Sequence, residues 1–108
     1  MNTIKFSHDW NGKLSGATWF TTIRQSCPAK YIQGRAYTIL KNEIPLFEAE
    51  CESVTTMPLR HFKPVLLILD TGCSYTSALE VFRRMGKFET LNDCLNADYD
   101  LILLKRLK

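Results

Sequence analysis

AYTILKNEIPLFEAECESVT, residues 36–55, reads as two extended segments around a tight turn. Ala36 to Leu40 is rich in aromatic and β-branched residues, and Lys41-Asn42-Glu43 is a hairpin connection that lacks glycine. Ile44 to Thr55 follows as a long, partly alternating strand in which period two puts Phe47, Ala49, Cys51 and Ser53 on one face. Glu48, Glu50 and Glu52 then occupy the opposite, solvated face, the pattern of a half-buried antiparallel strand rather than of a carboxylate site.

Toward the amino terminus, Thr3 to Phe6 alternates as a first short strand. Asp9 to Ser15 predicts a short helix with Asp9 as its N-cap, Trp10 and Leu14 four apart, and Gly16 as its stop. Trp19 to Ile23 is a strand, and Gln25 to Gly34, punctuated by Ser26, Pro28 and Gly34, is a loop with at most one helical turn near Ala29 to Ile32. Toward the carboxyl terminus, Pro58 ends the long strand. Phe62 to Asp70 suits either a buried strand or a helix, and Pro64 and Gly72 favour a helix between them. Ser74 caps a second helix, Thr76 to Met85, with an apolar stripe of Ala78, Leu79, Phe82 and Met85, Arg83 and Lys87 opposite, and Gly86 as terminator. Tyr99 to Leu104 is the last strand, followed by a basic tail of Lys105, Arg106 and Lys108. Strands at both ends with two or three short helices between them predict an α+β, barrel-like fold, and 108 residues suffice for a single domain spanning residues 1–108.

With 45% hydrophobic and 23% charged residues the chain is neither collagen-like, low-complexity nor disordered. Its longest apolar run, Val65 to Leu69, falls far short of the ~20 residues that cross a bilayer. Met1 to Trp10 lacks a leader-length apolar stretch, so a cytoplasmic location without a membrane partner is expected. Cys27, Cys51, Cys73 and Cys94 are spread without a Cys-x-x-Cys pair, which predicts reduced thiols. His8 and His61 have no second ligand at finger or zincin spacing, so neither a metal nor a cofactor is expected. The net charge of +3 is uneven: Lys5, Lys13, Arg24, Lys30, Arg35 and Lys41 face Asp9 alone in residues 1–42, the weak footprint of a nucleic-acid binder.

Four pieces occur in order: Trp10-x-x-Lys13-Leu14, Phe20-Thr21-Thr22-Ile23-Arg24, Lys30-Tyr31-x-x-Gly34, and Asp70-Thr71-Gly72 before a helix. Together they resemble the ASCH domain, a branch of the PUA-like β-barrels, along nearly the whole chain. The resemblance implies a small PUA-like barrel whose cleft is lined by the Thr-Ile-Arg strand and the helix that begins after Asp70. It also implies binding of RNA or a nucleotide-like ligand. Some small family members hydrolyse the amide of acetylated cytidine, with a Lys three residues before the Thr of Thr-Ile-Arg, that Thr, and a Glu near the later helix. Here Thr22 matches the Thr, Trp19 stands where the Lys belongs, and Asp70 or Thr71 falls near the Glu.

An indole has no basic nitrogen to take a proton from a Thr hydroxyl, so the catalytic set is incomplete and the expectation leans to binding rather than catalysis. A hydrolase of modified nucleosides would need Thr22 and Asp70 with a relocated base, for which Lys13 is the candidate. A protein-interaction module is a further alternative, with no partner indicated. As ligand-binding residues the pattern selects Trp19, Thr22, Arg24, Lys30, Arg35 and Asp70. Trp19 is either a stacking platform for a base or a core residue beside Phe20. Arg24 either forks onto Asp70 or meets a phosphate directly, with Lys30 and Arg35 as further phosphate contacts. Thr22, Arg24 and Asp70 are expected to converge. Tyr31 is expected to pack with a wet hydroxyl, Arg60 and His61 to lie on a solvated loop, and Cys73 to be no nucleophile.

Overall fold

A computed structural model describes residues 2–107, so Lys108 of the expected basic tail lies outside the described residues. The element order is β1 (Thr3–Phe6), a 3-10 segment Trp10–Ser15, β2 (Trp19–Gln25), β3 (Ala36–Lys41), β4 (Ile44–Pro58), a 3-10 turn Leu59–His61, α1 (Pro64–Thr71), α2 (Tyr75–Met85), α3 (Leu91–Asn96) and β5 (Asp98–Arg106). The five strands form one sheet in the order β1-β3-β4-β5-β2, antiparallel except for the β1/β3 pair.

Four inter-strand spacings of about 4.8 Å would hold the edge strands roughly 19 Å apart in a flat sheet. Instead the Arg24 guanidinium of β2 lies 4.6 Å from the centre of the Phe6 ring of β1. The sheet is therefore curled into a half-barrel, and the fold is α+β and barrel-like, as the sequence pattern predicts and consistent with a small PUA-like barrel. Inside the curl sits one apolar cluster, including Ile4, Phe6, Phe20, Tyr37, Ile39, Cys51, Ile102 and Leu104. A second cluster packs α1 to α3 against one end of the sheet through Ile23, Leu59, Phe62, Leu67, Leu79, Phe82, Cys94 and Tyr99. No single helix among the described residues is long and apolar enough to cross a membrane.

The hairpin between β3 and β4 turns on two residues, Asn42 (φ 51°) and Glu43 (φ 68°), both left-handed, the geometry that matches strand twist. The strict alternation expected along β4 fails at two places, at Leu46 opposite β3 and between Cys51 and Ser53 opposite β5. Register shifts between Cys51 and Ser53, so two steps on β4 oppose one on β5 and the inward face passes from Cys51 to Val54. Ser53 therefore leaves the face shared by Phe47, Ala49 and Cys51, because an extra residue in a period-two strand reverses every later side chain.

The Asp9–Ser15 helix is a 3-10 segment broken at Asn11 and Gly12, whose φ values are 56° and 69°. Asp9 holds it from outside: one carboxylate oxygen accepts the Leu14 N–H at 2.6 Å, and the other accepts the Ser15 hydroxyl. α1 runs from Pro64 and ends on Gly72 in the left-handed region, and Ser74 caps α2 by accepting the Ser77 N–H. Of the α2 stripe, Ala78, Leu79 and Phe82 are buried, but Met85 is 65% exposed because the last turn passes the edge of the helical cluster. α3 is absent from the sequence expectation. Thr90 caps its six residues, too few for a periodic apolar pattern; Arg60 and His61 are exposed on the 3-10 turn before α1, and Arg60 also donates to Asn92 and Asn96 of α3.

Candidate functional site

The curl leaves β1 and β2 unpaired with each other, and a cavity of about 220 Å³ opens at this seam. Phe6 and Ser7 from β1 and its end, Trp10 from the 3-10 segment, Thr22 to Gln25 from β2, Asp70 and Thr71 from the end of α1, and the last turns of α2 line it. Thr22, Arg24 and Asp70 thus come together, although 46 residues separate Arg24 from Asp70 in sequence.

β2 serves two surfaces. Phe20, Thr22 and Arg24 point into the curl, while Thr21 and Ile23 face the helices. This alternation assigns the polar partners differently from the sequence expectation. Asp70 Oδ1 accepts from the Thr21 hydroxyl at 2.8 Å, and Thr22 Oγ1 instead accepts from Arg24 Nε at 2.9 Å. No fork joins Arg24 to Asp70.

The cation on Asp70 is Lys13. Its Nζ lies 2.8 Å from Asp70 Oδ1 and also donates to the Thr21 carbonyl at 2.5 Å, with both side chains only 6% exposed. Asp70 sits in the last turn of α1, where the helix dipole disfavours a carboxylate, and a buried ammonium offsets that. Burial pulls the Lys13 ammonium below its ordinary pKa, and the Asp70 carboxylate opposes the shift. Gly72 makes the approach possible. It adopts φ 74° at the end of α1, and a Cβ there would press on Asn11 at 3.2–3.3 Å, between the helix bearing Asp70 and the segment bearing Lys13. Asn11 also donates to the Leu69 carbonyl at 2.9 Å. On the other side, Arg106 donates to the Leu14 carbonyl at 2.8 Å while stacking on Phe47.

Both Asp70 bonds go to Oδ1, and no donor reaches Oδ2 among the described residues. Arg24 is similarly half-used. Its Nε is taken by Thr22 and its plane lies on Phe6, while its two terminal nitrogens have no partner among the described residues. Burial lowers the Arg24 pKa, yet a guanidinium keeps its proton. The cleft therefore presents a fixed cationic fork resting on Phe6, a hydroxyl, a buried carboxylate and the side chain of Trp10. Among the described residues no group of three or more His, Cys, Asp and Glu side chains gathers as metal ligands.

Trp19 occupies neither place the sequence left open for it. It is 51% exposed at the start of β2, Lys105 lies over its ring at 5.3 Å, and it does not line the cavity. The tryptophan of the cleft is Trp10, which the sequence marked as part of a helix and of the Trp10-x-x-Lys13-Leu14 piece but not as a ligand-binding residue. Lys30 and Arg35 border a neighbouring groove that also reaches Arg24. Tyr31 is half-buried against the inner cluster, and Cys73 is a free thiol, as are Cys27, Cys51 and Cys94. Compared with known protein families, with curated proteins and with solved structures, the chain matches none.

Proposed function

We propose that this chain is an ASCH-type, PUA-like domain that binds RNA or a nucleotide-like ligand in the seam cleft. The observation that carries this is the half-used Arg24. A guanidinium held over Phe6, with both terminal nitrogens free in the cavity that Asp70 also lines, offers a planar heterocycle both donors and an acceptor. Trp10 supplies an aromatic face in the same cavity, and a base stacked on it gains ~1–3 kcal/mol. The cavity admits one small ring system rather than a duplex.

Titration with the four ribonucleosides and a short single-stranded RNA tests this, read by Trp10 fluorescence in a Trp19→Phe background. Saturable quenching is expected, lost in an Arg24→Ala protein whose urea unfolding remains cooperative. No quenching by any of these ligands at millimolar concentration would refute it.

A second reading, hydrolysis of acetylated or otherwise modified cytidine, is favoured by one observation. Lys13 lies buried on Asp70 and on the carbonyl of Thr21, so a lysine does stand beside the Thr-Ile-Arg strand although Trp19 fills the strand position. Release of acetate from N4-acetylcytidine, abolished by Lys13→Met and by Thr22→Ala, would support this alternative. Absence of release would leave binding alone.

A further inference from the structure

On the other side of Arg24 lies a second hollow of about 320 Å³, lined by Lys5, Lys30, Arg35 and Tyr37. It shares Lys5 and Arg24 with the cleft, and no Asp or Glu lines it. Four basic residues thus converge from β1, β2, the Cys27–Lys30 turn and the residue preceding β3. Their compensation is slight. Lys5 has an exposed partner in Glu43 at 3.4 Å, a pair that water screens. Lys30 touches only the Tyr31 ring, at 5.4 Å, and Arg35 has no side-chain partner among the described residues.

The groove is also held in shape. The buried Tyr37 hydroxyl accepts the Ile32 N–H at 2.9 Å and donates to the Lys30 carbonyl at 2.6 Å, clamping the loop onto β3. Gly34 N–H donates to the Cys51 carbonyl at 2.7 Å, and the Arg35 carbonyl accepts from Cys51 N–H at 2.9 Å. The Cys27–Lys30 turn has Pro28 in second place and Ala29 in third at φ 68°, a conformation that suits glycine better than alanine. Like charges gathered on a pre-shaped loop repel one another, and an anion relieves that repulsion without further ordering cost.

We infer that this groove holds the phosphate of a phosphate ester whose heterocycle occupies the seam cleft, with the Arg24 fork contacting both parts. The inference rests on the cleft binding a nucleotide-like ligand and adds that the ligand is phosphorylated. The phosphate belongs either to a mononucleotide or to an RNA chain, and one experiment separates the sources.

Calorimetric titrations at low, fixed ionic strength compare the ribonucleosides, their 5′-monophosphates, inorganic phosphate and a single-stranded RNA, against the parent and a Lys30→Ala/Arg35→Ala protein. An unchanged urea midpoint establishes that the variant is folded. A nucleoside monophosphate is expected to bind at least about tenfold more tightly than its nucleoside, the gain of one charge-assisted contact. The double variant should erase that advantage and leave nucleoside affinity as it was. RNA binding beyond the monophosphate value, with a steeper salt slope, assigns the phosphate to a chain, and equal binding assigns it to a mononucleotide. Equal affinities for nucleoside and monophosphate, or a double variant that binds the monophosphate like the parent, overturn the inference while leaving the cleft reading intact. Phosphate binding that depends on Lys30 and Arg35, without any nucleoside binding, supports the groove and refutes the cleft reading.

Discussion

Replacing Asp70 by alanine would leave the Lys13 ammonium buried with only the Thr21 carbonyl for company. Removing one partner of a buried pair costs about 3–5 kcal/mol, because the surviving charge keeps its desolvation penalty without its compensation. At a urea dependence of about 2 kcal/mol per molar, the midpoint should fall by roughly 1.5–2.5 M. Lys13 can escape this penalty by losing its proton, and that gives the loss a pH signature. In the parent its folded pKa already lies below the ordinary 10.5, so the unfolded chain binds more protons between the two values and stability rises with pH through that window. Asp70 opposes the depression, so its removal lowers the folded pKa further and extends the rising limb toward neutrality. Burial also raises the pKa values of Cys51, Cys94 and Tyr99, which adds a pH dependence of the opposite sign, but it is the same in both proteins and cancels in the difference. Urea unfolding of parent and Asp70→Ala between about pH 7 and pH 10.5 should thus show a deficit that shrinks as pH rises. Lys13→Met/Asp70→Leu, which removes both charges, should recover at least about 2 kcal/mol of the single-variant loss. A loss below about 1 kcal/mol that does not change with pH would mean that water screens the pair and that it does not hold the cleft.

Trp19→Ala should cost no more than about 1 kcal/mol in urea unfolding, the value of an exposed cation–π contact with Lys105, and should leave ligand titrations unchanged. A loss near the ~3–5 kcal/mol of a buried Trp would contradict its surface position. Glu43→Gly replaces a left-handed L-residue in the hairpin by glycine and creates the favoured Asn-Gly turn, so thermal melting should show a gain of up to about 1 kcal/mol despite loss of the Lys5 contact. A lower melting temperature would refute the assigned turn geometry. Four thiols should react with a disulfide reagent in denaturant, whereas in the native protein Cys27 should react rapidly and the fully buried Cys51 and Cys94 only through opening of the fold. Rapid labelling of all four without denaturant would place Cys51 and Cys94 outside the core.

Most elements were legible because their signals are local. Period-two alternation located the strands, Pro64 and Gly72 bounded α1, and the Ser74 hydroxyl and Gly86 bounded α2. These devices act within a few residues, so a sequence window contains their causes. The bulge between Cys51 and Ser53 escaped, because an inserted residue is registered only against Leu103 and Leu104 on the partner strand. α3 escaped because its six residues owe their helicity to the Thr90 cap and to packing rather than to a readable period.

Of the residues the sequence selected for ligand binding, the structure places Thr22, Arg24 and Asp70 on the cleft, Lys30 and Arg35 on the neighbouring groove and Trp19 on neither, and Lys13 reaches Asp70. Only the tertiary structure decided who partners whom. Curling brings Phe6 beneath Arg24, and that stack, together with the Thr22 hydroxyl, takes the place of the expected fork to Asp70. The helices pack on the Thr21 face of β2, so Asp70 meets Thr21 rather than Thr22, and a broken 3-10 segment delivers Lys13 to it. The same curl leaves Trp19 on the surface and Trp10 in the cavity. Residue type fixes what a side chain can do, but its partners come from strands and helices tens of residues away, and those separations are set by how the sheet closes.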